Sequence, residues 1–247
     1  MKSAALAVLL GTFGLPTQIG LAQPLVNATA RQSLPAPPQT PLPPNQTRPG
    51  GGLNPLGAAC HVLNDRLRAL VPADGPVLTT AAHPTFLFYS PFEADQAEYG
   101  EFSLLLWPGE EERHYKTRFT LPASPGIVSV TLPNLPEYAL VEDQLYRWYF
   151  QVSCRESTET QPDLTLSGIV QRVALTPARS QQIQTASPEI WYDTLASVAN
   201  QLQETPQNTQ LRETWRTLLQ FIEAEELATT TFSGTVLPPE DEKRERC

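Results

Sequence analysis

The sequence predicts a mostly β protein with a C-terminal α-helical part, and two observations lead to this prediction. From Leu78 to Leu175, apolar residues recur at every second position in short runs separated by Pro, Gly and acidic residues. After Leu175 the apolar period changes to about 3.6 residues, which is typical of amphipathic helices. Six or seven strands in about 100 residues is the spacing of an antiparallel β-sandwich, and we expect a helical hairpin to follow it.

The predicted strands share short length and turn-forming flanks. They lie at 84–91, 101–107, 113–121, 126–132, 146–154 and 163–175. Gly168, inside the last strand, is predicted to mark a β-bulge. The strand YRWYFQVSC places Tyr146, Trp148 and Phe150 on one face, which predicts that these three side chains belong to the core.

Tyr146 follows an acidic turn and precedes Trp148 by two residues. This arrangement resembles the tyrosine corner of immunoglobulin-like and fibronectin type III domains, in which a Tyr hydroxyl bonds back to the upstream backbone. We therefore predict an immunoglobulin/fibronectin-like antiparallel β-sandwich. The tryptophan departs from antibody domains, where it lies on strand C, and no disulfide between strands B and F is predicted.

The helical part begins at Thr176-Pro177 and contains further N-cap signals at Ser187 and Asn208. Two apolar stripes follow them, Trp191, Leu195, Val198 and Leu202 on one helix and Leu211, Trp215, Leu218 and Ile222 on the next. The segment is similar to the junction between two tetratricopeptide units, but it has a single copy, so one tetratricopeptide-like hairpin is expected.

The chain divides into five predicted segments. Residues 1–22 are predicted to be a signal peptide, with Lys2 before an apolar run and cleavage after Ala22. A Pro/Gly-rich disordered linker (23–59), the β-sandwich domain (60–175), the helical hairpin (176–228) and a disordered tail (229–247) follow. We therefore expect a periplasmic or extracellular protein that is not inserted in the membrane after signal cleavage.

The chain has three cysteines, Cys60, Cys154 and Cys247. In an oxidising compartment a Cys60–Cys154 disulfide is the first expectation, and two inert buried thiols are the alternative. Cys247 ends a polar tail, where a free or capped thiol and an intermolecular bridge both fit the sequence.

The charge and motif content exclude several function classes. The net charge is −9 with scattered basic residues, so neither nucleic acid nor an anionic membrane is an expected partner. None of the three histidines has metal-ligand spacing, and nucleophile elbows, CxxC pairs and phosphate loops are missing from the sequence. No catalytic residue, metal site or cofactor is predicted.

Two aromatic residues are candidate ligand contacts. Trp107 lies beside a predicted hairpin loop, and Tyr149 alternates with the apolar face of its strand. They fit a sugar-stacking surface. In the alternative interpretation, the helical hairpin covers this face and buries Tyr149.

Several segments together resemble the cyanobacterial domain-of-unknown-function family 928. They are HPTFLFYSP (83–91), FTLPASPGIVSVTLP (119–133), YRWYFQVSC (146–154) and EIWYDTLASVAN (189–200), after a Pro-Gly-rich approach to Cys60. The resemblance covers roughly 60–228 and implies a secreted protein with a Cys60–Cys154 pair. It implies no catalytic residues.

These observations predict a non-enzymatic secreted binding or adaptor protein with a protein partner in the cell envelope. A polysaccharide-binding envelope protein is the first alternative. An undetected hydrolase is the second, because catalytic carboxylates leave no local signature and acidic pairs such as Glu110 and Glu112 are present.

Overall fold

The computed structural model describes residues 41–50, 63, 65–155 and 161–236. All of them belong to one compact unit, Thr40–Cys247. The predicted signal peptide, Cys60 and Cys247 lie outside the described residues. The strands are β1 (Arg68–Ala69), β2 (Val77–Thr79), β3 (Thr85–Ser90), β4 (Ala97–Trp107), β5 (Arg113–Phe119), β6 (Gly126–Thr131), β7 (Leu145–Cys154), β8 (Leu164–Arg172) and β9 (Phe232–Thr235). The helices are α1 (Pro177–Gln184), α2 (Trp191–Glu204) and α3 (Thr209–Phe221).

The strands form two sheets, in the orders β1-β3-β6-β9 and β2-β8-β7-β4-β5. The six strands predicted from the alternating pattern are present as β3 to β8, and the pairs among them are antiparallel. The pairs β2–β8 and β6–β9 are parallel. Strands β1, β2 and β9 have only two to four residues, so they show too few alternations to be recognised in the sequence.

The two sheets pack against each other through aromatic rings. Phe88 of β3 stacks on Phe150 of β7 with ring centroids 4.1 Å apart, and Phe86 lies 4.9 Å from Phe102 of β4. Tyr146, Trp148 and Phe150 are at most 1 % exposed. The Tyr146 hydroxyl accepts a hydrogen bond from the Val141 backbone N–H at 3.1 Å, so a side chain on β7 fixes the loop that precedes the strand.

The predicted bulge at Gly168 is wrong. Strands β7 and β8 pair without a register shift, and Gly168 lies directly opposite Trp148. A Cβ atom at position 168 would lie 2.5 Å from Cζ2 of Trp148, which is closer than packed atoms approach. The glycine therefore provides room for the indole ring, and the register shifts occur instead on β4 and β6.

The helical part has the N-caps that the sequence predicts at two of three positions. Thr176 accepts from the Arg179 N–H, and Asn208 accepts from the Leu211 N–H. The Ser187 hydroxyl donates instead to the carboxylate of Glu189, and Ser187 precedes a short 3₁₀ turn at Pro188–Ile190. The stripe of α2 is buried throughout, and that of α3 is buried except for the partly exposed Leu211.

Helix α2 packs against β2 and β3, and its polar contacts reach residues of both sheets or next to them. The Trp191 indole N–H donates to the Leu70 carbonyl at 2.8 Å, and the Trp148 indole N–H donates to the Tyr192 hydroxyl at 2.8 Å. The Asp193 carboxylate accepts from the Thr79 hydroxyl at 2.6 Å. The helical part is therefore anchored to the sheets and shares their core.

Two segments predicted to be disordered are ordered in part. In the Pro-rich segment, Gln46 pairs with Ser167 of β8, and the Asn45 side chain accepts from the Ile169 N–H at 2.8 Å. Residues Phe232–Thr235 of the predicted tail form β9. Each segment forms hydrogen bonds with backbone groups at a strand edge. This pairing orders the segment, although its own apolar content is too low to do so. Asn45 begins an Asn-Gln-Thr glycosylation sequon. It is 6 % exposed, which leaves its amide inaccessible to a glycosylating enzyme in the folded chain.

Among the described residues, no helix has the length and apolar character needed to cross a bilayer.

Candidate functional site

The outer face of the five-stranded sheet carries both aromatic residues that the sequence indicates as ligand contacts. Antiparallel register places Ser103 opposite Tyr149 and Leu105 opposite Arg147. Trp107, at the end of β4, lies diagonally from Arg147. Since side chains alternate between sheet faces, these residues point away from the core that Trp148 and Phe150 occupy.

Arg147 brings the two aromatic residues into one cluster. Its guanidinium carbon lies 5.0 Å from the ring centroid of Tyr149 and 5.8 Å from that of Trp107. Its Nη1 atom lies 3.0 Å from Oε1 of Glu110, and the Tyr149 hydroxyl donates to Oε2 of the same carboxylate at 2.6 Å. We call Trp107, Glu110, Arg147 and Tyr149 the outer-face cluster.

The hairpin loop between β4 and β5 positions Glu110. Its backbone has φ of 57°, an uncommon conformation for a non-glycine residue, and its N–H donates to the Leu106 carbonyl at 3.1 Å. This turn directs the carboxylate back over the sheet. The sequence indicated Trp107 and Tyr149 as ligand contacts and Glu110 only as part of an acidic pair. It did not indicate Arg147, although Arg147 lies two residues before Tyr149 and so shares its strand face.

The outer-face cluster is partly shielded from water. The side chains of Arg147 and Glu110 are 22 % and 24 % exposed, and Arg147 Nε is buried with no hydrogen-bond partner in the part of the chain that the structure describes. Burial, followed by the hydrogen bond to Glu110, raises the pKa of Tyr149 to about 12. Tyr149 is therefore a neutral hydrogen-bond donor at physiological pH.

The alternative in which the helices bury Tyr149 does not describe its surroundings. Tyr149 is partly exposed, and its hydroxyl bonds to the loop residue Glu110. Helix α2 packs instead at the β2 and β3 side of the domain. The outer-face cluster thus keeps contact with solvent.

A second group of paired charges extends the same face. Glu101 of β4 lies 2.7 Å from Lys116 and 3.2 Å from Arg118 on β5, and the Arg118 guanidinium lies 4.5 Å from the Tyr99 ring centroid. Both groups combine one carboxylate, an arginine and an aromatic ring. The face is therefore polar, with three cationic and two anionic side chains in these two groups and aromatic ring surface beside them.

The outer-face cluster presents hydrogen-bonding groups and aromatic ring surface at one place. The Glu110 carboxylate accepts hydrogen bonds from Arg147 and Tyr149, so each of its two oxygens already has a partner. Its loop neighbour Glu112 is exposed. No group of three or more metal-ligating side chains occurs among the described residues.

Cys154 is fully buried at the end of β7. Its backbone N–H donates to the Asp163 carboxylate at 2.8 Å. Because Cys60 lies outside the described residues, the Cys60–Cys154 disulfide stays a prediction.

Comparison with known proteins identifies the family of this chain. No curated protein matches the sequence. A family model described as Domain of Unknown Function (DUF928) matches residues 45–232, which include β1 to β8, all three helices and the first residue of β9. Because the match covers most of the chain, this protein belongs to the DUF928 family.

Proposed function

We propose that this chain is a non-enzymatic binding or adaptor module that contacts a protein of the cell envelope through the outer-face cluster. The observation that supports this proposal is the partly exposed arrangement of Trp107, Arg147 and Tyr149 around Glu110. Trp, Tyr and Arg are the residue types that dominate binding energy at protein interfaces. Their mutual contacts hold them in place before a partner arrives, which lowers the entropic cost of binding.

The position of Arg147 favours a protein partner over a polysaccharide. Its guanidinium lies over both rings, so it competes with a sugar for stacking on them. A protein partner can instead contact ring edges and accept from the arginine. Polysaccharide binding is the second candidate function. It is favoured because the rings of Trp107 and Tyr149 lie on one accessible sheet face.

We also infer that the two-sheet domain has the immunoglobulin-like topology. The chain runs from β3 in one sheet to β4 and β5 in the other, returns with β6, and ends with β7 and β8 in the second sheet. That alternation matches strands B, C, C′, E, F and G of such domains, and the bond between Val141 and Tyr146 supports the same assignment. The hairpin of α2 and α3 is inferred to be tetratricopeptide-like from its sequence.

The expected export to the periplasm or exterior, and a cyanobacterial host, support the choice of an envelope partner. Both rest on the signal-peptide pattern and on the resemblance given above. Mass spectrometry of the mature chain, recovered from host cells, tests export directly, because cleavage after Ala22 leaves Gln23 as the first residue.

The experiment for the binding proposal is cross-linking of the tagged full-length chain in host cells, followed by quantitative mass spectrometry. The test variant is Trp107→Ala/Tyr149→Ala. The control variant is Arg216→Ala/Phe221→Ala, which alters exposed residues of α3; Phe221 is 59 % exposed. Circular dichroism establishes that each variant is folded.

One envelope protein recovered with the wild type and the control, but depleted with the test variant, supports the proposal. Equal recovery with all three chains refutes a role for the outer-face cluster. If the test variant instead loses retention on envelope polysaccharide and no protein is depleted, the second candidate replaces the first.

A further inference from the structure

A second candidate site lies on the other sheet, where three arginines meet at one cavity. The cavity has a volume of about 360 Å³ and lies between the start of β1, strand β3 and the turn after α3. Its charged lining residues are Arg48, Asp65, Arg66, Arg68 and Glu226, and Tyr89 lines it beside them. None of them belongs to the outer-face cluster, and the proposed function does not use them.

Arg68 forms the buried part of this cavity. The residue is 7 % exposed. Its Nη2 donates to the Ile222 carbonyl at the end of α3, and its Nη1 lies 3.0 Å from the Glu226 carboxylate. Its Nε is buried and has no hydrogen-bond partner among the described residues, although an unsatisfied buried charged donor is strongly unfavourable. The Arg68 guanidinium is therefore fixed in the cavity wall through Nη1 and Nη2, and it contributes its positive charge there.

Arg48 and Arg66 are exposed residues that line the same cavity. Arg48 donates to the Asp65 carbonyl, and Arg66 donates to the Tyr89 hydroxyl, each at 3.5 Å. These bonds are long, and each uses one of the five donors of a guanidinium. Because the Tyr89 hydroxyl accepts from Arg66, its own proton can be donated into the cavity.

The charges around the cavity do not balance within the lining. Three guanidinium groups and two carboxylates line the cavity, and Glu226 is exposed to solvent while it pairs with Arg68. The carboxylate of Glu223 acts on Arg68 from outside the lining. The whole chain carries a charge of −9, so convergence of arginines here is not a consequence of composition. Burial and then the charge of Arg48 lower the pKa of Arg68, and a bound anion would offset both effects.

We propose that this cavity binds a tetrahedral oxyanion, a phosphate or sulfate group, held by Arg48, Arg66 and Arg68 with the Tyr89 hydroxyl as a further donor. Guanidinium groups match such anions because their N–H donors form paired hydrogen bonds with two oxygens. The cavity is larger than one such group, so the anion can be part of a larger molecule. The site then couples ligand binding to the junction between β1 and the end of α3, which Arg68 already joins.

Isothermal titration calorimetry on the full chain tests this inference. The probes are inorganic phosphate, inorganic sulfate and glycerol 3-phosphate at pH 7.5, with chloride keeping the ionic strength constant. The test variant is Arg48→Gln/Arg66→Gln, which leaves buried Arg68 in place. The control is Arg113→Gln/Arg212→Gln, which removes the same charge from exposed positions elsewhere.

We expect saturable binding of one anion per chain, weakened about tenfold or more in the test variant and unchanged in the control. Tighter binding of glycerol 3-phosphate than of inorganic phosphate would indicate a phosphorylated organic molecule as the source, and equal binding would indicate the free ion. If no probe binds saturably, or if the control weakens binding as much as the test variant, the inference is wrong.

Discussion

The substitution Tyr192→Phe should destabilise the protein, because the Tyr192 hydroxyl joins the helical part to the centre of the sheet core. The hydroxyl accepts from the Trp148 indole N–H at 2.8 Å, and the two residues are 2 % and 0 % exposed. Phenylalanine keeps the ring, including its edge contact with Phe86 at 4.9 Å. The substitution therefore removes the acceptor and leaves a buried N–H without a partner.

A buried donor without a partner costs about 1–3 kcal/mol. Taking 2 kcal/mol, and a urea dependence of about 2 kcal/mol per molar, the unfolding midpoint should fall by about 1 M. Equilibrium urea unfolding, followed by tryptophan fluorescence and by circular dichroism, measures this shift. Coincident transitions with the two probes would show that sheets and helices unfold as one unit.

Tyr138→Phe is the matched control. Tyr138 is partly exposed, and its ring contacts Tyr115, while no hydrogen bond of its hydroxyl occurs among the described residues. We expect a change within about 0.5 kcal/mol for this control. A loss below about 0.5 kcal/mol for Tyr192→Phe would refute the reasoning, and the double variant with Trp148→Phe should show a coupling energy of about 1 kcal/mol.

Three further predictions concern packing, covalent structure and pH. Gly168→Ala should lower the free energy of unfolding by about 1–3 kcal/mol in the same urea assay, because the added Cβ overlaps the Trp148 ring; wild-type stability would contradict that packing. Thiol titration of the denatured, unreduced chain should find one free thiol per chain if Cys60 and Cys154 are bridged, and three would disprove the bridge. Since folding raises the pKa of Tyr149 from its usual value of about 10 to about 12, its contribution to stability is complete below about pH 10 and is lost as the pH rises through 12. The absorbance difference between wild type and Tyr149→Phe near 295 nm measures this titration, and a midpoint near 10 would show that burial and Glu110 do not act on the phenol.

The parts of the fold that could be predicted are those with a repeating pattern. Strands β3 to β8 and the buried stripes of α2 and α3 each repeat their apolar period several times, so the sequence identifies them without tertiary information. The caps at Thr176 and Asn208 were also predictable, because they depend on residues within three positions along the chain.

The missed features depend on partners distant in the sequence. The ordering of Asn45 requires backbone groups of Pro72 and Ile169, and a proline-rich segment gives no local sign of them. The role of Gly168 depends on the indole ring across the strand pair. In the outer-face cluster, the bond between Glu110 and Tyr149 joins residues 39 positions apart, so the sequence indicated only the aromatic members as ligand contacts.

The parallel pairing of β9 with β6 also means that the sheet containing β6 is completed only after the end of the domain has been synthesised. Backbone groups of Ile127 and Ser129 bond with Thr231 and Val236, which are synthesised about 100 residues later, a separation that slows closure. Until those residues emerge, the edge of β6 is open to pairing with a neighbouring chain. A fragment ending at residue 228 lacks β9 and keeps that edge open permanently.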